Sequence, residues 1–132
     1  MSLDSIHKAV FAVLAATGDT YVGIRVAGSP TPCMVYELTS AQVDMAMSGV
    51  LSKKHWTIGV EVQVIADNLV DVLAYVDDIV NNFGSPVNDV TNLVSMVLAQ
   101  VSVVFSVEPL DDGREDAARI GTISLTLLVQ ED

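Results

Sequence analysis

Two histidines are the natural starting point, because nucleophilic catalysis needs a base beside its serine, threonine or cysteine. His7 falls within an amphipathic stretch and His55 opens an alternating one, so both read as surface or satisfied histidines. Carboxylates are more plentiful. Asp77 and Asp78 are adjacent, and neighbouring residues of a helix point about 100° apart, which aims two carboxylates away from any shared point. They read as a solvated helix face. The run Asp111-Asp112-Gly113-Arg114-Glu115-Asp116 is similar to a fragment of a calcium loop. Its spacing departs from the EF-hand pattern, and no bidentate glutamate follows in register. A hairpin connection is the simpler reading.

Cys33 is the only cysteine, which excludes an intramolecular disulfide and a thiolate zinc cluster. It follows Pro32 with no basic neighbour to favour its thiolate, so it reads as inert packing. No P-loop occurs, and the glycines are too scattered for a dinucleotide fingerprint. The sequence therefore offers no catalytic, cofactor-binding or metal site, and the chain does not read as an enzyme. A deep pocket that converged Asp77, His55 and Glu61 would reverse that reading.

Composition narrows the remaining classes. The chain of 132 residues carries 6 Lys and Arg against 17 Asp and Glu, a formal charge of −11. Binding to nucleic acid uses basic side chains to displace condensed counterions, and few are on offer. An anionic membrane surface would repel the chain for the same reason. The longest apolar run, residues 93–107, is interrupted by Ser95, Gln100, Ser102 and Ser106 and falls short of the ~20 residues that span a bilayer. Residues 10–16 are apolar, but Asp4 spoils a positive n-region, so they do not read as a signal peptide. A hydrophobic share of 51% excludes intrinsic disorder. The charged share of 17% lies below the usual ~25%, which points to a surface covered in part by neighbours.

The elements that would position these residues follow from periodicity. Leu3, Ile6, Val10, Val13 and Leu14 share one face of a helix over residues 3–16, and a short strand follows at 21–26. Pro30 and Pro32 force an extended turn, after which Met34, Tyr36 and Leu38 alternate with Val35, Glu37 and Thr39 as a strand. Trp56, Ile58, Val60, Val62 and Val64 line one face of the clearest strand, opposed by His55, Thr57, Gly59, Glu61 and Gln63. That period of two puts one face on a core and the other in polar surroundings. Leu69, Val72, Val76, Ile79, Val80 and Phe83 stripe a second helix over 67–83, with Asp67 as its expected N-cap and Gly84 and Pro86 as its stop.

Residues 87–100 are ambiguous. Val90, Val94, Val97 and Val101 fit a helix while their β-branched content favours a strand, and the segment reads as a loop or short helix leading into a strand. Val101, Val103, Phe105 and Val107 then alternate, as do Ile123, Leu125, Leu127 and Val129. The polar connection between them makes a hairpin, with Asp111, Asp112, Glu115 and Asp116 as an acidic loop available to a neighbour. The order is helix, three strands, helix, two strands. That is an α+β fold, a mostly antiparallel sheet of about five strands with two packed helices, forming a single domain over residues 1–132. Residues 40–53 join two of these strands and far exceed the usual hairpin loop of about 2–5 residues. They carry Val43, Met45, Met47, Val50 and Leu51, either as a contact arm that orders on a partner or as a short helix folded on the core.

Taken in order, these pieces resemble the tail terminator, or tail-completion, proteins of long-tailed bacteriophages. The resemblance runs through the first helix, Thr17-Gly18-Asp19 and the strand at 21–26. It continues with Ser29-Pro30-Thr31-Pro32-Cys33-Met34-Val35-Tyr36-Glu37-Leu38, the strand 56–65 and the helix 67–83, and closes with a strand ending near Glu108-Pro109 and the last strand 120–129. It covers nearly the whole chain and departs most at residues 86–99. It rests on an order of elements and carries no catalytic signature. It implies a virion protein assembled in the host cytoplasm, a ring of six copies without a cofactor. That ring would cap the tail tube, join it to the head connector and leave a channel through which DNA passes without specific binding. Another neck, head-completion or tail component is the nearest alternative, and a cellular protein-binding module is a second.

Overall fold

The two apolar stripes at helical spacing form the two helices. α1 (Leu3–Thr17) buries Ile6, Ala9, Val10 and Leu14, and α2 (Leu69–Gly84) buries Val72, Val76, Ile79 and Phe83. At the start of α2 the cap is Asn68 and not Asp67. The Asn68 side-chain oxygen accepts the Asp71 N–H at 2.9 Å, and the Asp71 carboxylate accepts the Asn68 amide at 3.1 Å. This reciprocal pair satisfies an otherwise orphaned donor of the first turn. The helices are tied by Asn82, whose amide donates to the Thr17 hydroxyl at 2.8 Å.

The computed structural model describes residues 3–18, 20–23, 32–43, 55–84, 86–89, 91, 94–109 and 117–131. Six strands lie among them: β1 (Thr20–Val22), β2 (Cys33–Val43), β3 (His55–Ala66), β4 (Val87–Asp89), β5 (Val94–Pro109) and β6 (Ala117–Glu131). They form one sheet in the order β1-β2-β3-β6-β5-β4. Only the β1–β2 pairing is parallel, and the other four are antiparallel. The architecture is α+β, with two helices against a mostly antiparallel sheet.

Alternation decides which face the helices cover. Met34, Tyr36, Ile58, Val60, Val62, Val64, Ile123, Leu125, Leu127 and Val129 are buried with the helix stripes in one core. Each such aliphatic side chain contributes roughly 1.5–3 kcal/mol on burial. The opposite face carries Thr57, Glu61, Gln63, Thr122, Ser124 and Thr126, all exposed or half-buried. At one end of that face Cys33, Val35, Ile65 and Ile120 form a smaller apolar cluster with Tyr21 against it. The strand bearing Gly121 lets α2 approach closely: a Cβ there would meet Val72 Cγ1 at 2.8 Å.

Two bulges account for the main departures from the sequence-based expectation. In β2 the register shifts between Leu38 and Ser40, and the strand continues to Val43. The long connection expected at 40–53 therefore begins later, because Thr39 is an extra residue and the alternation changes phase across it. In β5 the register shifts between Leu98 and Gln100, so Val94, Met96 and Leu98 share a face with Val101 and Val103. That change of phase mimics helical spacing. Residues 94–100 are strand, and Val87–Asp89 supply a sixth strand beyond the five expected.

Candidate functional site

The structure keeps apart the residues whose convergence would have indicated catalysis. His55 and Glu61 lie six positions apart on β3, about 20 Å at ~3.4 Å per residue. Asp77 is exposed on α2, on the far side of the sheet from both. Asp78 is also exposed on that helix. His7 is occupied by Tyr36, with the tyrosine hydroxyl 2.8 Å from its Nδ1 and the two rings stacked. Cys33 is a buried thiol of the smaller apolar cluster. Among the described residues no group of three His, Cys, Asp or Glu side chains gathers where it could hold a metal ion. Among the described residues no helix is long and apolar enough to cross a membrane.

Of the contact residues expected between β2 and β3, Val43 is the last residue of β2, half-buried and opposite Trp56. Met45, Met47, Val50 and Leu51 lie outside the described residues, as do Asp111, Asp112, Glu115 and Asp116. Trp56 anchors the end of β3, half-buried and packed on the core. Beside it opens a cavity of about 650 Å³, lined among others by His55, Asn88, Val97 and Leu128. The Trp56 indole N–H is buried and has no partner among the described residues. Leaving such a donor unmade costs about 1–3 kcal/mol.

What sequence reasoning passed over is the outer surface of β5. Residues 94–107 contain no ionisable side chain, yet Val97 and Val104 are exposed on one face of the strand, Val104 at 66%, and Val101, Phe105 and Val107 on the helix-bearing face. Leu69 and Leu73 of α2 are exposed beside them and share with Phe105 and Val107 a second cavity of about 330 Å³. Exposed apolar residues scattered singly mean little, but the group that Phe105 and Val107 form with Leu69 and Leu73 is contiguous and marks an interaction surface. The signal was available in an uncharged run within a chain that carries 17 acids.

On the polar face, Glu37 of β2 stands directly opposite Glu61 of β3. Like charges in that position oppose strand pairing. No lysine or arginine occurs anywhere in β2, β3 or β5.

No protein-family model matches the chain, and no curated protein matches it either. A solved structure described as the virion of a native gene transfer agent (GTA) particle contains a chain of similar fold. It aligns at a TM-score of 0.50 and 14% identity, covering 95% of this chain and 93% of that one. The shared property is the fold. It extends over both chains almost from end to end.

Proposed function

We propose that this chain is a structural part of a phage-like particle that assembles with copies of itself and with other virion proteins. The observation that carries this reading is the end-to-end structural likeness to a chain of a gene transfer agent virion. The separation of His55, Glu61 and Asp77 supports a non-enzymatic role, and the uncharged, exposed β5 supports a role in assembly. Within that class the reading is a tail terminator, a ring of six copies that caps the tail tube and joins it to the head connector. The resemblance in order of elements supports this finer assignment.

The acidity then has a physical use. Six copies at a formal −11 each would surround a channel with one sign of charge, and such a wall repels phosphates and lets DNA pass without sticking. The Glu37–Glu61 pairing, unfavourable within one subunit, fits a face selected for its negative potential. Electron microscopy of the purified protein, alone and added to growing tail tubes, tests the assignment. Rings with a central hole that bind tube ends and stop their growth are expected. Rings that bind a head connector but ignore tube ends would instead place the chain among head-completion proteins.

A further inference from the structure

Six strands leave the sheet with two edges, and each is covered over only part of its length. β1 pairs with β2 at Met34, Val35 and Tyr36, so residues 37–43 have no outer strand among the described residues. β4 pairs with β5 at Val94, Ser95 and Met96, which leaves 97–107 bare in the same sense. The two short strands sit at opposite ends. Following cross-strand partners, Met96 lies in one row with Val129, Trp56 and Val43, while Phe105 lies in another with Gly121, Val64 and Met34. The notch beside β4 on one edge therefore faces the height at which β1 projects from the other.

Soluble proteins guard long strand edges with charges, prolines or bulges, because bare N–H and C=O groups recruit another strand. The bulge between Leu98 and Gln100 interrupts one end of this edge. Below it, residues 101–107 carry no charge and no proline.

We propose that a second copy of this chain docks on this edge, adding its β1–β2 edge to β5 and continuing the sheet from subunit to subunit. The proposal rests on the reading of the chain as a self-assembling virion part. Charge selects the place: two chains of −11 repel each other, and β5 is a long surface that they can share without facing carboxylates. Strand direction agrees. β2, β3, β6 and β5 are antiparallel in turn, so β1 and β2 run opposite to β5. A copy related by rotation about an axis along the strands meets it in antiparallel sense. The two surfaces differ, so the contact is heterologous and generates a ring when the rotation closes.

Two double variants test the pairing. V101D with V104D places acids on the β5 edge, and V22D with A41D places them on the β1–β2 edge. All four side chains are exposed, and circular dichroism verifies that each variant folds. Each alone is expected to stay at the monomer mass of 14.0 kDa under conditions where the natural chain assembles. Mixed in equal amounts they form a dimer of twice that mass, because each contributes the edge that the other lacks. Should either variant fail to fold, V104P and F105P serve, since of two adjacent strand residues one directs its N–H outward and loses only that donor. Undiminished assembly of a folded edge variant, or no dimer on mixing, overturns the proposed pairing and leaves self-assembly standing. A natural chain that never leaves the monomer mass overturns both.

Discussion

The Tyr36 hydroxyl lies 2.8 Å from Nδ1 of His7, and the two rings stack with centroids 5.6 Å apart and planes inclined by 20°. The pair fastens α1 to β2, and Phe11 adds a tilted ring contact to the same tyrosine at 6.0 Å. Burial pushes the Tyr36 phenol up from 10.0 to about 12, because the phenolate would lose its hydration. A folded-state value above the unfolded one favours the protonated form in the native chain. Its contribution is complete below pH 10 and is lost as pH rises towards 12. Urea titrations at intervals from pH 8 to 11.5 should show the natural chain losing stability relative to Y36F above pH 10. Parallel curves for the two proteins would show that this phenol is not held in its neutral form.

Two glycines tolerate a methyl group differently. A Cβ at Gly121 would meet Val72 Cγ1 at 2.8 Å, and a valine in a helix has one strongly preferred rotamer. The clash therefore passes into the seating of α2. A Cβ at Gly59 would meet the hydroxyls of Ser40 and Thr39 at 2.5 and 2.8 Å, and these belong to exposed side chains of the β2 bulge that can turn aside. G121A should cost about 1–3 kcal/mol, as overpacking generally does. G59A should cost less, since replacing a strand glycine also recovers some chain entropy. Denaturant midpoints compare the two, and G121A combined with V72A should lose less than the sum of the single changes.

Removing one carboxylate from the pair formed by Glu37 and Glu61 should stabilise the subunit. Cross-strand pairs are worth roughly 0.2–1 kcal/mol, so E61Q is expected to raise the unfolding free energy by about that amount in low salt. The gain should shrink as salt screens the exposed charges. A gain that is absent in low salt would mean that the two side chains avoid each other in solution.

The strands whose alternation is unbroken were legible from the residues alone. β3 reads correctly because Trp56 to Val64 keep strict parity, and β6 does so through Ile123, Leu125, Leu127 and Val129. The helices were legible from their stripes, although Asn68 captured the capping role because its side chain reaches the Asp71 N–H. Parity failed at Thr39 and Ala99, the two bulged residues, and there the strand ends of β2 and β5 were misplaced. No local pattern announces a bulge, since the extra residue is set by the partner strand. The surface of β5 was hidden for a related reason. An apolar residue of alternating phase looks like core until the sheet shows that, among the described residues, the outer edge of β5 is paired only at Val94, Ser95 and Met96.

The mass of the purified protein in solution tests the central claim most directly. Light scattering across a concentration series is predicted to show a closed species of six copies, six times the 14.0 kDa of the chain. Its mass should not grow further with concentration. A particle that stays at 14.0 kDa under every condition would contradict the account.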